Sequence, residues 1–156
     1  MAYKVTYTKI IYPLLALVLV VIFFGKILIR PAVAPVPHSY LEIGSHKITV
    51  EIAGTPASQT QGLSNHAPLG ENQGMLFVFP DKQVRSFWMK EMLFPLDIIW
   101  LDGNRIVKIS ANLPPEGMAP SKAYSSDLPV NYVLEVNAGW VNRAGIKIGE
   151  QINYHL

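Results

Sequence analysis

The 156-residue chain contains no cysteine, so no disulfide framework marks export or supplies a scaffold, and its absence is compatible with either side of a membrane. His38, His46, His66 and His155 are scattered. None sits with a Cys or a close carboxylate at ligand spacing, which argues against a structural metal site. Ser64 lacks the flanking glycines of a nucleophile elbow, and Gly62, Gly70 and Gly74 do not make a phosphate loop. There is no internal repeat and no motif for a cofactor. A basic stripe with interleaved aromatics is also missing. The formal charge of +2 misleads here, because Lys4, Lys9, Lys26 and Arg30 stand in the first thirty residues. The remainder has nine Lys or Arg against eleven Asp or Glu, a net of −2, and nucleic acid is not an expected partner.

What the chain does have is a long apolar run. Ile10–Ile29 carries one charge, Lys26, and Ile10–Gly25 carries none. Twenty helical residues rise about 30 Å, the thickness of a hydrocarbon core, and Lys26 lies near enough to the end to snorkel. Leu14–Phe24 is apolar on every side, which disfavours a core helix in so small a protein. A cleaved signal peptide is the other reading, with Lys4 and Lys9 as a basic region and Ala32-Val33-Ala34 as a cleavage triplet. Lys26 and Arg30 intervene, however, and Pro35 would follow the cut, so a retained anchor is expected. Basic residues flank the run almost evenly. The short amino terminus is placed inside and the domain on the extracytoplasmic side, a single-pass membrane protein. The expected organisation is a head at 1–9, a transmembrane anchor at 10–29, a Pro-rich tether at 30–38 and one domain at 39–156.

The domain reads mostly as strand. Tyr40–Ile43 and Lys47–Ala53 flank a turn at Gly44-Ser45, with Ile48, Val50 and Ile52 alternating with Thr49 and Glu51. Thr55-Pro56 opens a helix to about Leu63. Met75–Phe79, Val84–Lys90, Leu96–Leu101, Arg105–Ser110, Tyr132–Val136 and Ile152–His155 are further strands. Asp102-Gly103-Asn104 turns a hairpin, and a short helical turn follows Asn137 through Arg143. Asn112–Pro129, rich in Pro and Ser, reads as a long loop. The expected fold class is mainly β: an antiparallel β-sandwich or flattened barrel with one or two short helices, preceded by a single transmembrane helix.

The richest segment for chemistry is Phe87-Trp88-Met89-Lys90 and Pro95-Leu96-Asp97-Ile98-Ile99-Trp100. Strand alternation puts Trp88 with Lys90, Asp97 with Ile99 and Leu101, and Glu135 with Val133 and Asn137. Lys90 and Asp97 flank the tight connection Glu91–Pro95. The simpler reading makes them an ion pair that holds it, or makes Asp97 a cap on backbone N–H groups. The functional reading has Asp97 and Glu135 lining a pocket with Trp88 and Lys90, where polar anchors over an aromatic floor suffice to bind a ligand. Trp140 is read first as packing against the sheet edge and second as a stacking platform. The candidate ligand-binding residues are thus Trp88, Lys90, Asp97, Glu135 and Trp140.

Gln61-Gly62-Leu63-Ser64-Asn65, Gly74–Phe79, Phe87-Trp88-Met89-Lys90, Pro95–Trp100, Tyr132–Trp140 and Gly145–Glu150 occur in an order that resembles the DUF192 family over about Ser39–Gln151. The resemblance implies a compact, mainly β domain, often exported or membrane-tethered. It implies no reaction. Met92 departs from the polar pair the family often has after Trp-Met-Lys, and His66 stands where a more common basic residue occurs.

Three functions compete. The first is a membrane-tethered envelope domain acting as a binding or accessory module for a small molecule, a glycan or a protein. The second is an envelope hydrolase using Asp97 and Glu135 as acid and base, which requires the two carboxyls to be close. The third is a structural partner in a membrane complex.

Overall fold

The computed structural model describes residues 39–156. It begins with a hairpin of β1 (Tyr40–Ile43) and β2 (His46–Ala53), in antiparallel register from Tyr40 opposite Thr49 to Ile43 opposite His46. Helix α1 (Pro56–Gln61) follows. The Thr55 hydroxyl accepts the Ser58 N–H at 3.1 Å and the Ser58 hydroxyl accepts the Thr55 N–H at 3.0 Å, a reciprocal cap. Pro56 fits the first turn because its missing N–H has no partner there anyway. The helix buries no residue of its own. What ties it to the sheet is Gln59, whose amide donates to the carbonyls of Ala53 and Val78 at 3.3 and 2.8 Å, where β2 ends beside the next strand.

That next strand, β3 (Gln73–Phe87), runs parallel to β2 over Gln73–Phe77, so β2, α1 and β3 form a crossover unit. It is followed by β4 (Leu96–Asp102), β5 (Arg105–Leu113), β6 (Tyr124–Asn137), α2 (Trp140–Ala144) and β7 (Ile152–His155). All seven strands belong to one sheet, in the order β5-β4-β6-β3-β2-β1-β7. The sheet curls until its ends meet. Arg105 bridges Gln151, the Ile106 N–H donates to the Glu150 carbonyl at 2.9 Å and the Ile152 N–H donates to the Asn104 carbonyl at 2.8 Å.

The two faces of this sheet carry separate cores. Inside the curl lie Leu41, Ile43, Ile48, Val50, Leu76, Ile99, Leu101, Leu134, Val136 and Trp140. On the other face Met75, Phe77, Leu96, Ile98, Trp100 and Val133 pack beneath Leu63, Met89, Met92 and Phe94, contributed by the connections after α1 and after β3. Burial on both sides explains why β4 reads as an unbroken apolar run interrupted only by Asp97.

The expected mainly β, predominantly antiparallel class with two short helices holds, as one curled sheet in which β2 and β3 form a parallel pair. Several expectations are corrected by this architecture. Met75–Phe79 and Val84–Phe87 are parts of one long strand, β3, joined through an irregular stretch between Val78 and Gln83, and the expected strand residues Trp88–Lys90 lie beyond its end. A third of the expected loop Asn112–Pro129 belongs to β6, which starts at Tyr124 and pairs with β3 at Phe87 and Ser86. Asp127, at φ 60°, and Pro129 break its regularity without ending it, because Lys108 donates to the Ser125 carbonyl at 2.6 Å and Ser126 accepts the Arg85 N–H at 2.9 Å.

The expected anchor at Ile10–Ile29 and tether at 30–38 lie outside the described residues. Among the described residues no helix is long and apolar enough to cross a membrane. The two helices, of six and five residues, rise less than about 10 Å, against the roughly 30 Å of a bilayer core. The fold is therefore described without a preceding transmembrane helix.

Candidate functional site

The α1 crossover leaves a groove between the helix and β3. On one wall are Pro56, Gln59, Thr60 and the turn Gly62-Leu63-Ser64. On the other are Phe77, Phe79 and Val84–Trp88, with Met92 and Glu135 completing the surface. The cavity volume is about 510 Å³, within the usual range for small-molecule sites. Strand β2 stops at Ala53, so the outer part of β3 has no strand on this side and the groove occupies its place.

Glu135 is the unusual residue of this site. It is only 4% exposed. In the sheet it stands opposite Met75 of β3 and Ile98 of β4, on the face that also carries Phe77, Trp100 and Val133. No hydrogen bond or ion pair among the described residues involves its carboxyl. Burial alone pushes its pKa from 4.5 up to about 8, so the group is mainly protonated at neutral pH. Gly74 lets the two central strands approach here: a Cβ at that position would lie 2.8 Å from the Glu135 carbonyl oxygen.

Arg85 is the other charged residue of the lining. Its guanidinium lies over the Phe79 ring, 4.0 Å from the centroid, and pairs with Asp81. Burial is the sole cause of the Glu135 shift, so Arg85 does not offset it. Phe87 stands edge-on to Phe77 and Trp100, at 4.8 and 5.4 Å between centroids, which fixes the aromatic wall in one orientation. Trp88 is 55% exposed at the edge of the groove, free to contact a ligand.

The other sequence-derived candidates lie elsewhere. Asp97 has no exposed surface. One of its oxygens accepts the Asn112 N–H at 2.8 Å and the other the Val141 N–H at 3.0 Å. Gly139, at the N-cap of α2, has no side chain to cap the helix, and Asp97 reaches across from β4 to serve its first turn. The half-buried Lys90 forms a backbone β-bridge with Glu116, and its carbonyl accepts the Ser64 hydroxyl at 2.8 Å. No Lys90–Asp97 ion pair occurs among the described residues. Trp140 is 3% exposed in the core inside the curl, edge-on to His46 and 3.4 Å from the Asn72 side-chain oxygen.

The hydrolase alternative fails on register. Asp97 pairs with Val136 while Glu135 pairs with Ile98, one step along the same ladder. Neighbouring ladder positions point to opposite faces, so the two carboxyls are separated by the sheet and cannot share a substrate. Both Asp97 oxygens are also occupied. Among the described residues no group of three or more His, Asp or Glu is placed to hold a metal ion.

Of the sequence-derived candidates, Glu135 and Trp88 meet at the groove. Arg85, Phe79 and Gln59 were missed. Their signal was available only as an unusually long strand bearing alternate aromatics beside a short capped helix.

The model of the DUF192 family, described as an uncharacterized ACR, matches residues 39–154. The chain belongs to the DUF192 family. No curated protein matches it. Among solved structures, this DUF192 protein is similar to a proposed transcription regulator from Sinorhizobium meliloti 1021. The identity is 33% and the TM-score 0.68, over 75% of this chain and 92% of that one. It is also similar to a protein of unknown function from Novosphingobium aromaticivorans DSM 12444, at 32% identity and TM-score 0.67, over 81% of this chain and 94% of that one. These likenesses describe the β domain. Neither these likenesses nor the described residues supply a membrane-spanning helix, so the single-pass, membrane-tethered envelope reading, the membrane as partner and the structural role in a membrane complex are not carried further.

Proposed function

We propose that this DUF192 domain is a binding module whose ligand site is the groove between α1 and β3. The observation that carries this reading is the Glu135 carboxyl. It is more than nine-tenths buried, makes no hydrogen bond or ion pair among the described residues, and lies at a groove that combines aromatic and apolar residues with Gln59, Thr60, Ser64 and Arg85. Desolvation of a carboxyl that has no protein partner costs free energy, less where the groove admits water. A ligand that satisfies it recovers that energy, and the exposed Trp88 beside it offers an apolar platform. The regulatory description of the Sinorhizobium relative is compatible with a domain that senses a small molecule. Lys90, Asp97 and Trp140 are assigned to holding the fold in this reading.

The test is a small-molecule screen on the full chain, read by chemical-shift changes. Binders should shift Trp88, Phe87 and Gln59 together, and Trp88→Ala should weaken them. A screen in which binders move only residues away from the groove refutes the proposal.

A further inference from the structure

Resting on the groove reading above, we propose that its ligand is an extended, uncharged peptide segment that adds as a strand to the open edge of β3 at Val84–Phe87. The register of β3 against β6 exposes this edge. Pro129, opposite Val84, has no N–H to give, so this pair exchanges no hydrogen bonds and the Val84 N–H and C=O point away from β6. Arg85 points the other way, its N–H donated to the Ser126 hydroxyl at 2.9 Å. From Pro129 to Ser125 β6 takes four steps against two of β3 from Val84 to Ser86, so the extra residues bulge from β6 and β3 keeps its alternation. Ser86 therefore turns its backbone groups outward as well. On that side β2 has ended at Ala53, opposite Phe77. Gln59 takes the Val78 carbonyl there. Among the described residues no backbone group of a turn, a loop or a helix bonds to Val84 or Ser86.

Exposed strand edges are normally guarded by charge, proline or a bulge. Pro80 and Lys82 guard the stretch before Val84. Beyond them Val84, Ser86 and Trp88 are exposed and uncharged, and α1 across the groove carries no charge either. An uncharged segment matches both walls. It continues the ladder that β2 begins, and the groove of about 510 Å³ between α1 and β3 has room for one short segment. A second copy of this chain would bring its own α1 to the same edge. The lining also holds Arg85 Nε, a buried donor without a partner among the described residues, and the Glu135 carboxyl. An amine answers acceptors alone, and a carboxylate answers donors alone. A peptide backbone carries both on every residue, repeated at the spacing of the Val84 and Ser86 groups.

The probes are the blocked peptides acetyl-Thr-Val-X-Val-Thr-amide, with Val, Leu or Phe as X, titrated into the full chain by NMR. The Val84 and Ser86 amide hydrogens should exchange fast in the free chain and slow by at least about fivefold on saturation, while those of Gln83 and Arg85, already turned to β6, stay unchanged. Two N-methylated isomers of the tightest probe, one blocked at its odd residues and one at its even residues, then test the geometry. Only one edge of an added strand faces β3, so one isomer should bind as the parent does and the other at least about fivefold more weakly. Ser86→Pro removes an outward N–H at an edge where proline is tolerated, and should weaken the parent peptide similarly. If both isomers bind equally while Trp88, Phe87 and Gln59 still shift, strand addition is wrong and the groove stands. If Val84 and Ser86 are already protected in the free chain, the edge is occupied, by a second copy where protection grows with protein concentration, and the peptide assignment falls. If no probe moves Val84, Trp88 or Gln59, strand addition falls, and the library screen then decides on the groove itself.

Discussion

Replacing Glu135 by Gln should make the protein more stable as the pH rises. The side chain keeps its shape and loses its charge. In the unfolded chain the Glu135 carboxyl ionises around 4.5; in the folded protein burial delays ionisation to about 8. Between these values the folded state holds the proton and the unfolded state does not, so stability falls as pH rises through this window and is fully present only below it. A shift of about 3.5 units at about 1.4 kcal/mol each sets an upper bound near 5 kcal/mol. The groove admits some water to the carboxyl, so about 2–4 kcal/mol is expected. Urea unfolding of the full chain and of Glu135→Gln, followed by tryptophan fluorescence at pH 5, 7 and 9, measures the difference. The other groups with displaced pKa values, Glu116 and Asp127 (both lowered by hydrogen bonds to Ser121 and Lys108 respectively) and Tyr154 (raised by burial), are common to both proteins and cancel. The two should be nearly equal at pH 5, with the variant ahead by the full amount at pH 9. Parallel pH profiles would refute the claim that Glu135 is buried without a partner.

Asp97→Ala removes the acceptors of the Asn112 and Val141 N–H groups and should lower stability by about 2–4 kcal/mol, read from the urea midpoint, with Asp97→Asn recovering part of the loss. Gly74→Ala drives a methyl group against the Glu135 carbonyl and the Leu134 side chain, and should cost at least about 1–3 kcal/mol, with amide shifts concentrated on β3 and β6. Trp88→Ala, at an exposed position, should change stability by less than about 1 kcal/mol by thermal unfolding while weakening groove ligands. Gln59→Ala leaves the Ala53 and Val78 carbonyls without their donor, and should cost about 1–2 kcal/mol with faster hydrogen exchange in α1.

Local signals were the legible part of this fold. The turn at Gly44-Ser45, the cap at Thr55-Pro56, the hairpin at Asp102-Gly103-Asn104 and the final strand Ile152–His155 all stand where alternation and turn chemistry put them. The DUF192 motifs were likewise readable in order. Pairing partners were not. That β2 and β3 run parallel depends on where α1 returns the chain, and the start of β6 was hidden behind Ser125, Asp127 and Pro129, residues that usually mark loops.

The site shows the same division. Period-two alternation correctly grouped Glu135 with Val133 and Asp97 with Ile99. Only the register between β4 and β6 shows that these groups face opposite ways. Asp97 and Glu135 are both buried carboxyls in central strands, yet one has two backbone donors and the other has none. Those donors come from Asn112 and Val141, 15 and 44 residues away, and no local pattern reports them. Trp88 and Trp140 differ in the same manner, since only tertiary packing buries the second.

The central claim is that Glu135 is an unpartnered acid at the surface of a binding groove. Its most direct test is the titration of the Glu135 side-chain carboxyl by carbon-detected NMR on the full chain, assigned by its loss in Glu135→Gln. A midpoint near 8, far above the ordinary 4.5, is the predicted result. A midpoint at or below 4.5 would mean that water or a neighbouring donor already satisfies the carboxylate, and would contradict the account.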